Sequence, residues 1–102
     1  MEIKYLEGSF DIDNYKNLVI LDFFADWCAP CKRMTKEIEA LKCEYPVTIL
    51  KVDTDEYHSL ASDMHVRSLP TLVFLKKGSE INHYAGFKTK AQIEELIRFN
   101  LQ

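Results

Sequence analysis

Two cysteines, Cys28 and Cys31, stand three residues apart and are the side chains best suited to covalent chemistry. An apolar run over 18–25, typical of a buried strand, precedes them, and apolar residues recurring every three or four positions after them predict a helix. The pair therefore lies where a strand turns into a helix. The unpaired N–H groups and partial positive charge there favour a thiolate, the reactive form of cysteine. Residues three apart lie on one side of a helix, so the pair can close a local disulfide.

A zinc site is the alternative to redox chemistry. Zinc needs four ligands, which usually come as two paired sets. The sequence has no second Cys-x-x-Cys, and ligand-like spacing is absent from Cys43, His58, His65 and His83. The cysteine pattern therefore favours a redox dithiol, and we expect no metal.

The sequence around the pair alternates strand-like and helix-like stretches. A short edge strand at 3–6 and a short helix, capped by Ser9 or Asp11 and ending at Tyr15, precede the buried strand. The next elements are a helix from about Pro30 to Glu44, a strand over 47–52 and a helix near 57–65 with Asp55 as N-cap. Hairpin strands at 72–76 and 81–84 follow, joined by the four residues Lys77-Gly78-Ser79-Glu80, and a capping box at 89–92 opens the last helix. The order β-α-β-α-β-α-β-β-α predicts an α/β fold with a mixed sheet and helices on both faces.

Length and composition point to one small domain, and we expect residues 1–102 to form it. Hydrophobic residues make up 47%, enough for a core without a structural metal or several disulfides. The net charge of -3 and the lack of a basic run argue against nucleic acid or a membrane as partner. No apolar run is long enough to cross a bilayer, and the first residues lack the apolar stretch of a signal peptide. We therefore expect a cytoplasmic monomer.

The segment Trp27-Cys28-Ala29-Pro30-Cys31-Lys32 resembles the active-site signature of the thioredoxin family, with Ala29 where the family usually has glycine. Further matches follow in the family's order, so the resemblance covers nearly the whole chain: Asp22, Lys51, Leu69-Pro70-Thr71, Lys77-Gly78 and Ala85-Gly86. The resemblance implies the thioredoxin fold and a protein-disulfide reductase without a cofactor. It also implies two kinds of partner, a thioredoxin reductase that supplies electrons and disulfide-containing target proteins that receive them.

The two cysteines are expected to have different roles. Cys28 precedes the helix and should be the exposed nucleophile, whereas Cys31 lies inside the first turn and should be the resolving thiol. The Cys28 thiolate attacks a target disulfide and forms a mixed disulfide. Cys31 then attacks Cys28 and releases the reduced target.

Asp22 interrupts an otherwise apolar strand, six residues before Cys28. Apolar residues fill both faces of that strand, so we expect a buried carboxylate with a raised pKa that exchanges a proton with Cys31. A surface-facing position on an edge strand is the alternative. The resemblance places Lys51 near this acid, although a solvated lysine at a strand end is an equally good interpretation.

Trp27 directly precedes the dithiol turn, and we expect it to shield the dithiol and to present a flat apolar surface rather than to fill the core. The resemblance extends this docking surface over Ala29, Pro30, Leu69, Pro70, Ala85 and Gly86. It also implies a cis bond before Pro70, whereas X-Pro statistics alone favour trans. The backbone of the residue before Pro70 would then pair with an extended target segment.

Other interpretations stay open. The same fold can act as a thiol oxidant or disulfide isomerase, or as a non-enzymatic docking subunit, although intact Cys28, Cys31 and Asp22 argue against docking as the sole role. Cys43 is expected to be partly exposed and non-catalytic, with a regulatory thiol as the alternative. Lys36 occupies the place where many thioredoxins have a helix-kinking proline, which leaves a kink here undecided.

Overall fold

A computed structural model describes residues 1–42 and 44–102, so the expectation for Cys43 lies outside the described residues. The strands are β1 (Glu2–Tyr5), β2 (Leu18–Phe24), β3 (Val47–Asp53), β4 (Thr71–Lys76) and β5 (Ser79–Ala85). The helices are α1 (Ala29–Glu39), α2 (His58–Asp63) and α3 (Lys90–Leu101), and a single 3-10 turn spans Ile12–Asn14.

The five strands form one mixed sheet in the order β1-β3-β2-β4-β5. β1, β3 and β2 run parallel, whereas β4 is antiparallel to β2 and β5 is antiparallel to β4. In the central parallel pair, Asp22 stands in register with Lys51. Their side chains therefore point to the same face of the sheet.

The core has two layers, one on each face of this sheet. The layer that holds α1 and α3 includes Leu18, Ile20, Ile49, Met34 and Ile97. Strand periodicity places Asp22 and Lys51 on this face, one step beyond Ile20 and Ile49. The opposite layer packs Val19, Leu21 and Phe23 under α2 and the 3-10 turn. The predicted arrangement, a mixed sheet with helices on both faces, is confirmed.

Three of the predicted helices are shorter than expected, and the smallest difference is at α2, which spans His58–Asp63 rather than 57–65. The first is a 3-10 turn of three residues, in which Asp11 accepts a hydrogen bond from the backbone N–H of Asp13, as a cap does. The second, α1, ends at Glu39 instead of Glu44. Leu41 is still buried, but Tyr45 is 37% exposed, so further helix would bury little more apolar surface. α1 runs without a break through Lys36.

The helix and turn ends follow local chemistry. The capping box at α3 is present, because the Thr89 and Gln92 side chains each accept from the other's backbone N–H. The hairpin turn contains two residues instead of four, and Lys77 and Gly78 both have positive φ, at 51° and 81°. Such values at both positions match the twist of the flanking strands. The prediction of Asp55 as the N-cap of α2 was wrong, since Tyr57 stands there.

Candidate active site

The dithiol lies at the amino end of α1, where the sequence predicted it. Cys28 is the N-cap residue, and its Sγ accepts a hydrogen bond of 3.2 Å from the backbone N–H of Cys31. The two cysteines are joined as a disulfide. Pro30 lies in the first turn, where its missing N–H costs no hydrogen bond. The N–H of Cys31 would support a thiolate on Cys28 in the reduced state in the same way.

The expectation of an exposed Cys28 was wrong. Cys28 is 5% exposed and Cys31 is 3% exposed. Both are covered because Phe24, Ala25 and Leu69 pack around the two sulfurs. A target disulfide must therefore come into close contact with the surface around Cys28 before it can react.

Asp22 and Lys51 form a buried ion pair on the α1 face of the sheet. Asp22 is 2% exposed, which excludes the surface-facing alternative, and Lys51 is 4% exposed, which excludes a solvated strand-end lysine. The Lys51 Nζ lies 2.8 Å from Asp22 Oδ2. It also lies 4.9 Å from the centre of the Phe24 ring, within reach of a cation–π contact.

This pair is incompletely satisfied. Asp22 Oδ1 is buried and accepts no hydrogen bond from any described residue. Burial raises the pKa of Asp22 above its ordinary value, and the charge and hydrogen bond of Lys51 oppose this rise without cancelling it. The geometry thus provides a carboxylate that accepts a proton more readily than an exposed one.

Thr35 belongs to the same cluster, and the sequence analysis missed it. Its Oγ1 donates to the carbonyl of Cys31 over 3.1 Å and accepts from Lys51 Nζ over 2.9 Å. It lies four residues after Cys31, one helical turn further along α1, which is the one signal in the sequence that could have suggested it. A surface cavity of about 260 Å³ is lined by Cys31, Thr35 and Lys51, so solvent has access to this side of the dithiol.

Trp27 is 72% exposed, which confirms that it is not a core residue. Its indole N–H donates to Asp55 Oδ2 over 3.2 Å. Asp55 is itself fixed, because its backbone N–H donates to Asp53 Oδ1. The acid that was predicted to cap α2 instead holds the tryptophan beside the dithiol turn.

The Leu69–Pro70 peptide bond is cis, as predicted. The Pro70 carbonyl accepts from the N–H of Gly86 over 2.8 Å, so this contact joins two segments of the predicted docking surface. Ala29 and Ala85 are exposed, and Pro30, Leu69 and Gly86 are half-buried. Pro70 is buried, so it supports the surface without adding area to it.

Among residues 1–42 and 44–102, no three His, Cys, Asp or Glu side chains are grouped so that they could hold a metal ion. Within the same part of the chain, no helix has the length and apolar character needed to cross a membrane.

Comparison with known sequences identifies relatives. The sequence model of the thioredoxin family matches residues 6–99. A thioredoxin of Chlamydia trachomatis is 48% identical over 81 residues, which cover 78% of this chain and 79% of the relative. A thioredoxin of Bacillus subtilis is 36% identical over 101 residues, 97% of each chain.

Solved structures give the same result. A mutant thioredoxin from Halobacterium salinarum superposes with a TM-score of 0.87 at 31% identity, covering 99% of this chain and 92% of the other. The reduced thioredoxin of Schistosoma mansoni gives 0.86 at 30% identity, covering 97% and 98%. The predicted thioredoxin fold is therefore confirmed.

Proposed function

Because this chain belongs to the thioredoxin family, whose members exchange dithiols and disulfides as protein-disulfide oxidoreductases, we propose that it reduces disulfides in target proteins through Cys28 and Cys31. The observation that carries this proposal is the Cys28–Cys31 disulfide at the amino end of α1, with the Asp22–Lys51 pair beneath it. The proposed domain is the whole chain, 1–102.

The first step is attack of the Cys28 thiolate on a target disulfide. A bond forms between Cys28 Sγ and one target sulfur, and the other target sulfur leaves as a thiolate that takes up a proton. The position of Cys28 at the helix N-cap supports this role, since the Cys31 N–H and the helix dipole both stabilise negative charge on Sγ.

The second step needs a deprotonated Cys31. Its thiol gives a proton to the Asp22 carboxylate, carried by solvent in the cavity that Cys31 and Lys51 both line. The Cys31 thiolate then attacks Cys28 Sγ, the bond between Cys28 and the target breaks, and the target sulfur leaves. Two electrons have moved from the dithiol to the target, and the Cys28–Cys31 disulfide remains.

Target proteins dock on the surface around the dithiol. Trp27, Ala29 and Ala85 supply exposed area, with Pro30, Leu69 and Gly86 between them. The backbone of Leu69, held beside the dithiol by the buried Pro70, pairs with an extended target segment. A thioredoxin reductase recharges the disulfide, and we place the protein in the cytoplasm as a monomer.

Cysteine variants test the division of labour. Cys28→Ser should abolish reduction of insulin disulfides, because no nucleophile remains. Cys31→Ser should accumulate mixed disulfides with targets, because nothing resolves them. Intact-mass measurements detect the adducts, and Cys43→Ser serves as a control for an exchange outside the dithiol. Adducts on the Cys28→Ser variant but not on Cys31→Ser would reverse the roles.

The reduction potential tests the direction of electron flow. A reductase should equilibrate with glutathione at a potential of about -270 mV, whereas oxidising foldases lie at about -120 to -180 mV. A measured value in the foldase range would contradict the reductase and support the oxidant or isomerase.

A further inference from the structure

The hydroxyl of Thr35 connects the dithiol helix to the buried ion pair. It donates to the Cys31 carbonyl and accepts from the Lys51 ammonium, which in turn donates to Asp22 Oδ2. Since Thr35 gives its single hydrogen to the carbonyl, a lone pair is left facing the ammonium. The ammonium thus has two oxygen partners, one charged and one neutral, on two different elements.

We propose that Thr35 is a positioning residue that allows Asp22 to take up the Cys31 proton, because its hydroxyl remains a second oxygen partner of the Lys51 ammonium when Asp22 becomes neutral. This inference rests on the proposed proton-accepting role of Asp22 and adds the group that makes the protonated state accessible. Thr35 itself neither gives nor takes the proton.

The physical reason lies in what happens when Asp22 becomes neutral. Lys51 then loses its charged partner while it stays almost completely buried. A buried ammonium without a partner is costly, and the Thr35 oxygen at 2.9 Å keeps one hydrogen bond in place. Without that oxygen, protonation of Asp22 would leave Lys51 with the neutral carboxyl oxygen and the aromatic contacts to Phe24 and Tyr5, none of which carries a negative charge. Thr35 therefore favours the protonated carboxyl, and its loss should lower the pKa of Asp22.

Other charged groups near Lys51 provide a background for any pH measurement. The cavity that contains Thr35 is also lined by Tyr5, Asp26, Lys32, Lys36 and Glu39. A second cavity that Lys51 also lines adds Glu7, Asp53 and Glu56. Most of these side chains are exposed, and all of them are identical in the variants compared below, so a probe on the Asp22 carboxyl carbon isolates the effect of Thr35.

The decisive experiment titrates Asp22 by carbon NMR in the oxidised protein, where the Cys28–Cys31 disulfide removes both thiols from the titration. Thr35→Val keeps the shape of the side chain and removes the hydroxyl oxygen, whereas Thr35→Ser keeps the oxygen. Thr48→Val is the control, because it makes the same exchange on β3, where Thr48 pairs with Glu2 and Val19. We expect the midpoint to fall in Thr35→Val and to stay at the wild-type pH in Thr35→Ser and Thr48→Val. An unchanged or higher midpoint in Thr35→Val overturns the proposal.

A kinetic measurement separates this inference from the proposed function. A carboxylate of lower pKa is a weaker base, so insulin reduction by Thr35→Val should slow about threefold to tenfold near neutral pH, with Thr35→Ser close to wild type. If insulin reduction is slower in Asp22→Asn but unchanged in Thr35→Val, the role of Thr35 is overturned and the proton role of Asp22 stands. Unaffected Asp22→Asn overturns the proton role of Asp22 and, with it, the inference. If Thr35→Val unfolds, Thr35→Ala replaces it in both measurements.

Discussion

The Asp22 carboxylate lies in a layer of apolar side chains, and the Lys51 ammonium is paired with it. Burying two charges costs several kcal/mol per ion, and their mutual attraction often fails to repay that cost. Here one carboxylate oxygen has no described partner, and the pKa of Asp22 is raised mainly by burial despite Lys51. These features argue against a mainly stabilising role for the pair and support the proposed transfer of a proton to Asp22.

The Asp22→Asn variant should show this cost as a change of stability with pH. Because the pKa of Asp22 is higher in the folded than in the unfolded chain, ionisation favours unfolding. The contribution of Asp22 to the stability of the wild type is therefore fully present below the pKa of Asp22 in the unfolded chain. This contribution is lost as the pH rises through the pKa of Asp22 in the folded chain. We expect the free energy of unfolding of Asp22→Asn, relative to wild type, to increase with pH over that interval.

Urea denaturation at several pH values measures the difference, and Asp63→Asn on the exposed side of α2 is the control. The gain in Asp22→Asn is limited, since Lys51 loses its charged partner. A stability difference that stayed constant with pH would show that Asp22 titrates alike in both states.

At this scale, the sequence predicts positions better than contacts. The strand alternation identified Asp22 as buried because both faces were apolar, and this is confirmed. The ion pair of Lys51 with Asp22 depends on the register of β2 and β3, which the sequence does not reveal. The hydrogen bond from Trp27 to Asp55 joins residues 28 positions apart, so no local pattern indicates it. Thr35 looked like an ordinary helix residue, since nothing local reveals that an ammonium from β3 reaches it.

The elements show which boundaries local chemistry decides. The sequence predicts the capping box of α3 and the position of the hairpin correctly, because each is fixed by a few neighbouring residues, although the turn is two residues shorter than predicted. The sequence does not predict the end of α1 at Glu39, because that end depends on tertiary packing, and Tyr45 is not buried against the sheet. The apolar periodicity continues through Leu41 to Tyr45, but of these two residues beyond Glu39, Leu41 is buried and Tyr45 is 37% exposed.

The β4–β5 hairpin offers a test at the scale of an element. Gly78 has a φ of 81°, and apart from its chain neighbours no described atom lies within 4 Å of the place a Cβ would occupy. Gly78→Ala should therefore cost backbone strain alone, about 1–2 kcal/mol, and Gly78→Asn should cost less. Thermal unfolding measures both variants. Insulin reduction should be unchanged, and an equal loss in the two variants would contradict the left-handed explanation.

The whole molecule consists of two core layers that share one sheet. β2 contributes alternate residues to both layers, so neither layer can open while the other stays packed. We therefore expect the described residues to unfold as one cooperative unit.

Large-to-small variants in each layer test this expectation. Ile97→Ala removes volume from the α1–α3 layer and Leu21→Ala from the α2 layer, and each should cost about 2–5 kcal/mol. Fluorescence of Trp27, the one tryptophan of the sequence, and far-UV circular dichroism should follow the same transition in both variants. Separate transitions for the two signals would contradict unfolding as a single cooperative unit.

The burial of Lys51 also has a consequence for amine chemistry. An acylating reagent needs a neutral and accessible amine. Lys51 is 4% exposed and donates hydrogen bonds to Asp22 and Thr35, whereas the Lys4 side chain is 48% exposed. In a mass-spectrometric time course on the native protein, Lys4 should be modified early and Lys51 after the fold opens. The acylation rate of Lys51 would then measure how often the native fold opens, and mild denaturant should accelerate it more than the rate of Lys4.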